Sequence, residues 1–283
     1  MHLTESNMYR SKINQLSRGF SAETKELIAS LSDDELHRRL DGMITPPITL
    51  AERSDPEMLQ LYYTSSYVHL MEFLNVPKDA KLFEIAAGDT IFIPKALDTH
   101  GEEGAKYVTA NLNQDLTEGF RDKTAELSIE IQVIEDNGAR ILNYCGQGSM
   151  DVIVFHHALN DIVQTMIAQR EGIDTIHSDW WSVEPQMLQA VMDYHNRGEL
   201  KQAVYGEFIS IIETCHQLLK EEGIIIFDNC IYAGYEKIGY SSEFHSNYIQ
   251  FAREWINEAD LGLQEVQVPG FDEKWWMVLQ KSH

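Results

Sequence analysis

Leu82-Phe83-Glu84-Ile85-Ala86-Ala87-Gly88-Asp89-Thr90 is the stretch on which the fold turns. An apolar run of strand length carries one acid at its centre and ends in a tight turn of small residues. The helix-forming run 91–97 follows directly. Small residues let a backbone approach a ligand closely, and glycine permits the dihedrals that such a turn needs. The turn is a poor dinucleotide fingerprint. A G-x-G-x-x-G series would need glycines where Ala86, Gly88 and Ile91 stand, and isoleucine is too bulky for close helix–strand contact.

Outward from this turn, short apolar runs alternate with longer amphipathic stretches, the pattern of βαβ units and a parallel sheet. Strands are expected near 82–86, 107–110, 129–134, 152–155 and 224–227. Two late runs, 263–268 and 275–280, flank Pro269-Gly270-Phe271-Asp272-Glu273 and read as an antiparallel hairpin at the sheet edge. A helix is expected over 200–219, with Glu222-Gly223 as its stop. Upstream, Ser21 and Ser32 read as helix caps, with Glu35 at the capping-box position of the second. Pro46-Pro47 breaks the chain, and a further helix runs from about 56 to 74 with Asp55 as its candidate cap. The expected fold is α/β: a Rossmann-like, mostly parallel seven-stranded sheet with helices on both faces and an antiparallel edge strand. A helical N-terminal segment, 1–79, precedes an α/β domain, 80–283, which carries an insertion at about 171–199.

Charge narrows the partners. Lys and Arg total 22 against 45 Asp and Glu, a net of −23, whereas a nucleic-acid backbone demands a basic surface. The densest basic cluster is His37-Arg38-Arg39. Nucleic acid is therefore not the expected partner, and a neutral or cationic small molecule is easier to accommodate. No run approaches the roughly 18 apolar residues of a membrane span. The first twenty residues lack a signal-peptide core, so a cytoplasmic protein is expected. Cys145, Cys215 and Cys230 are odd in number and far apart, which suits reduced thiols.

Glu84 stands at an acidic position, with Ala86, Gly88 and Thr90 at the following alternate positions. The segment resembles motif I of class I S-adenosylmethionine-dependent methyltransferases, acidic-x-Gly-x-Gly-x-Gly, with only the central glycine retained. Further landmarks follow in that family's order. The run 107–110 ends at Asn111, where the family places an acid for the ribose hydroxyls, and Asp136 matches the acid that pairs with the adenine amino group. The run 151–159 resembles the strand leading to the substrate mouth, and 218–227 resembles the step into the fifth strand. The resemblance spans roughly 81 to 281. It implies S-adenosylmethionine as cofactor, in contact with Tyr63, Glu84, Ala86, Gly88, Asn111, Leu112, Asp136, Asn137 and His156. It also implies methyl transfer to an oxygen or nitrogen of a small-molecule metabolite. A sulfonium leaving group is already activated, so positioning is the main requirement and no metal or redox cofactor is needed.

His156 and His157 follow the fourth strand, and a period of two would point them to opposite faces. Either can serve as the base that deprotonates an acceptor, or can simply cap the strand end. Asp161 is a candidate to orient one of them or a helix-start carboxylate. Adjacent histidines without an HxxxH or HExxH spacing argue against a metal, so none is expected. Trp180, Trp181, Tyr232 and Tyr235 are the candidates to cover the substrate, and the glycine- and tyrosine-rich run 233–240 reads as a mobile gate. The rival readings are an NAD-type or other nucleotide-binding α/β oxidoreductase and a non-catalytic S-adenosylmethionine-binding module. A homodimer is left open as the assembly.

Overall fold

The computed structural model describes residues 3–111, 114–136, 138–175 and 178–282. Four helices come first: α1 (Leu3–Leu16), α2 (Ala22–Ser30), α3 (Asp33–Asp41) and α4 (Asp55–Phe73). The expected caps are in place. Ser21 accepts from the Thr24 amide, and Ser32 with Glu35 closes a full capping box. Each satisfies amides that the first helical turn leaves without partners. Asp55 is not the cap of α4. Ser54 holds that place without a side-chain bond, and the Asp55 carboxylate instead accepts from the Glu52 amide at 2.9 Å.

The remainder alternates strands and helices: β1 (Lys81–Ile85), α5 (Phe92–His100), β2 (Lys106–Ala110), α6 (Gln114–Thr124), β3 (Glu130–Ile134), β4 (Met150–His156), α7 (Ala158–Glu171), α8 (Trp180–Asn196), α9 (Leu200–Leu218), β5 (Leu219–Asp228), α10 (Ser242–Ala259), β6 (Leu263–Glu265) and β7 (Trp276–Lys281). They build one seven-stranded sheet in the order β3-β2-β1-β4-β5-β7-β6. β4 runs parallel to β1 and β5, and β3 parallel to β2, while β7 is antiparallel to both β5 and β6. This is the expected Rossmann-like α/β sheet with its reversed edge hairpin. No helix among the described residues is long and apolar enough to cross a membrane.

One boundary differs from the sequence expectation. α9 stops at Leu218, and Glu222-Gly223 lies inside β5 rather than ending the helix. The register jumps there: Met150 faces Leu219, whereas Val152 faces Ile224. Glu222 has φ 64°, and a Cβ on Gly223 would fall 2.9 Å from the Lys220 carbonyl. The Glu-Gly pair is thus a bulge, with glycine where the backbone folds tightly on itself.

The chain forms two compact units, one comprising 1–81, 87–135 and 231–233, the other 82–86, 136–230 and 234–283. In the first, α4 packs on α5, with the Tyr63 and Phe92 rings stacked at 5.7 Å, and Tyr107 stacks on Phe120. In the second, β4 and β5 form the core. Val152, Ile153, Val154, Phe155, Ile225, Ile226 and Phe227 are wholly buried, and the Phe155 and Phe227 rings stack at 4.5 Å. Full burial of each such side chain stabilises by about 1.5–3 kcal/mol. Burial on both faces is why these strands read as unbroken apolar runs.

Candidate functional site

In the first unit the turn after β1 is fixed from the end of β2. Gly88, at φ 59°, donates its amide to Asn111 Oδ1 at 3.3 Å, and Asn111 Nδ2 donates back to the Gly88 carbonyl at 2.8 Å. An amide side chain can do both, whereas a carboxylate can only accept. This is a physical account of the asparagine that stands where the resemblance expects an acid. The same turn is held from α6, where Lys123 Nζ donates to the Asp89 carboxylate and, at 3.1 Å, to its carbonyl. Tyr63 is fully buried against Phe92. Leu112 and Asn137 lie outside the described residues.

In the second unit β1 leads into Ala86, which takes φ 55° without being glycine. A left-handed residue with a Cβ costs roughly 1–2 kcal/mol, so the turn is imposed by its surroundings. Glu84 is completely buried on β1, in register with Val154 of β4, and its charge bears on His156. Asp136 accepts from the Tyr144 hydroxyl at 2.7 Å and has Arg140 Nη1 at 3.5 Å.

The two histidines do not diverge. β4 ends at His156, and His157 turns left-handed at φ 51°, which interrupts the alternation of faces. Their rings stack with centroids 4.0 Å apart, and both reach the carboxylate of Asp228 at the end of β5. His156 Nδ1 lies 3.0 Å from it and His157 Nε2 3.2 Å. The opposite-face expectation fails because a period of two holds only while the backbone stays extended.

One carboxylate matches one imidazolium. Burial opposes charge on His156, but Asp228 by charge and hydrogen bond, with Glu84 behind, raises its pKa above the ordinary imidazole value. Burial first, then the charges of His156 and His245, holds His157 well below that value. His157 is therefore the neutral member of the pair. With a side chain 22% exposed against 3% for His156, it is also the accessible one. Cys230 Sγ lies 3.7 Å from its Nδ1.

His156, His157 and Asp228 each place one ligand atom within 4.8 Å of the others, a donor set able to hold a divalent ion. The sequence points away from a metal because the histidines are adjacent and lack an HxxxH or HExxH spacing, and the third donor, Asp228, lies 72 residues from His156. The sequence reading does not single out Asp228, although an acid closing a central strand is a visible signal.

The candidate substrate aromatics belong to both units. Trp180 opens α8 behind its cap Asp179 and is half-buried, and the Trp181 side chain lies outside what is described. Tyr232 belongs to the first unit, where it forms an isolated bridge with Ile48. Tyr235 belongs to the second, where its hydroxyl donates to Glu184 Oε1 at 2.7 Å. The run 233–240 is not an open glycine loop. Tyr235–Ile238 forms a 3-10 turn closed by Gly239 at φ 85°, and Tyr240 is wholly buried against Tyr235, Phe244 and His245. Its aromatic residues supply the burial that the glycines alone could not.

No protein-family model and no curated protein matches the sequence. Among solved structures, the chain is similar to an S-adenosylmethionine-dependent methyltransferase from Aquifex aeolicus, at 10% identity and TM-score 0.47, covering 80% of this chain and 92% of that one. It is similar to an S-adenosylhomocysteine-bound methyltransferase from Podospora anserina, at 13% identity and TM-score 0.47, covering 93% and 97%. A third, from Clostridium thermocellum and provisionally described as an rRNA methylase, has 11% identity and TM-score 0.46, covering 77% and 95%. These are likenesses in chain path, and chemistry has to be read from this chain's own residues.

Proposed function

We propose that the protein is an S-adenosylmethionine-dependent methyltransferase acting on an oxygen or nitrogen of a small molecule. The observation that carries this reading is the turn after β1: Ala86 and Gly88 are both left-handed, and Asn111 grips the Gly88 peptide from the end of β2. A rigid turn of small residues at the carboxyl end of a central parallel strand is where open α/β sheets bind nucleotide-like ligands.

The cofactor supplies an electrophilic methyl group on a sulfonium. The resemblance assigns Glu84, Ala86, Gly88, Asn111, Asp136 and His156 to it. Leu112 and Asn137 are assigned by the resemblance alone. Tyr63, buried against Phe92, is proposed beside them. Asp228 and the charged His156 hold His157 in place, and neutral His157 accepts the proton that the methyl acceptor must lose. The net charge of −23 favours a small acceptor over a nucleic acid.

Calorimetric titration with S-adenosylhomocysteine tests the reading. Saturable binding that weakens at least tenfold in Asn111→Asp is expected, and absence of binding to the unaltered protein sinks it.

A further inference from the structure

A second polar cluster lies beside the histidine pair, entirely within the second unit. α7 contributes Asn160 and Asp161, α8 contributes Glu184, the 3-10 turn contributes Tyr235, Tyr240 follows it, and α10 contributes His245 and Tyr248. Tyr235 bonds Glu184, Tyr240 bonds Tyr248, and the His245 ring stacks on Tyr235. Asp161 and Glu184 repel one another, and Asp161 also bears on both buried tyrosines. Among the described residues, no lysine or arginine pairs with either carboxylate.

Such an arrangement is costly without a ligand. Two like charges in partly desolvated surroundings disfavour ionisation, and burial together with Glu184 lifts Asp161 to about 7. Glu184 is raised as well, by burial against the hydrogen bond from Tyr235. Two further groups are also incomplete. Asn160, only 8% exposed, donates from Nδ2 to Asp161 at 2.7 Å, and its Oδ1 is buried without a partner among the described residues. His245, 1% exposed, uses Nε2 on Asn229, and its Nδ1 is buried without a partner among the described residues. An unmet buried acceptor is costly, and groups of this kind point to a place where something else binds.

The missing partner must carry positive charge and several donors. We infer that this cluster binds the ammonium group of an amine-bearing small molecule, through Asp161, Glu184 and Asn160 Oδ1, with Tyr235 and Tyr240 around the cation. An ammonium offers three N–H donors and no acceptor, which suits a set of oxygens. Tyrosine faces add cation–π attraction. The cluster also acts electrostatically on the site already described, through His245 on His157. That this amine is the methyl acceptor rests on the proposed methyltransferase activity, whereas the binding itself does not.

The test is calorimetry at pH 8 on the full chain, with butylamine, benzylamine and phenethylamine against 1-butanol, benzyl alcohol and 2-phenylethanol. At least one amine is expected to bind tenfold or more tightly than its alcohol. Asp161→Asn and Glu184→Gln, which keep shape while removing charge, are each expected to erase most of that preference. Near-UV circular dichroism establishes that the variants are folded. Equal binding of amine and alcohol, no amine binding, or a full amine preference in both folded variants overturns the inference. Failure of S-adenosylhomocysteine to bind, with the amine preference intact, would count against the methyltransferase reading alone.

Discussion

His156 and His157 stack, 4.0 Å between ring centroids, and both reach the buried carboxylate of Asp228. Their inequality follows from that sharing. The deeper ring takes the charge that Asp228 can match, and the more accessible ring stays neutral. A base that is already deprotonated at neutral pH, and oriented by a neighbouring ion pair, suits removal of a proton from an acceptor.

Replacing His157 with Gln is expected to lower turnover by about 100- to 10,000-fold, the usual range for a positioned base. S-adenosylhomocysteine affinity should stay within about twofold, measured by calorimetry beside a methyl-transfer assay.

The pH profile should show where the base titrates. Because His157 is held well below 6.5, the acid limb of kcat/KM is expected under that value. A limb above 6.5 would assign the proton transfer to another group.

Asn111→Asp should loosen the turn after β1. It loses the donation to the Gly88 carbonyl and sets a negative charge against that oxygen, at a cost of about 1–3 kcal/mol. Urea unfolding measures the loss, and the weaker S-adenosylhomocysteine binding should accompany it.

Asp161→Asn should behave in the opposite way, and only at higher pH. The folded value of about 7 lies above the ordinary 3.8, so between them the folded state holds the extra proton and stability falls as pH rises. The variant should gain on the order of 4 kcal/mol at pH 8 and nothing below pH 3.8, read from unfolding curves at pH 3.5 and 8.

His245 has the converse sign. Burial lowers it from 6.5 to about 3, so the unfolded state holds the extra proton in that window and stability rises with pH. Acidification from 6.5 to 3 should remove on the order of 5 kcal/mol. His245→Gln should flatten that slope, measured by denaturation across the window.

The strands are legible because β4 and β5 are buried on both faces, so their apolar runs are continuous in sequence. The Ser32–Glu35 box is legible because both partners lie within one helical turn. The bulge at Glu222-Gly223 reads as a helix stop because a glycine punctuates both, whereas in the structure Glu222 is the left-handed residue and Gly223 allows the close backbone approach. Asn111 falls at the end of β2 as the sequence suggests, but its grip on Gly88 depends on a residue 23 positions away.

The turn on Gly88 shows the division most directly. Sequence alone determined that small residues end β1, that a central parallel sheet follows, and that an amide stands at the end of β2, since residue size, apolar periodicity and chemical type are local properties. Only the tertiary structure decided that Asn111 holds Gly88, that both histidines share Asp228, and that Asp161 and Glu184 bear on each other. Those relationships depend on which distant strands and helices pack together, and on a left-handed residue at His157 that no periodicity announces.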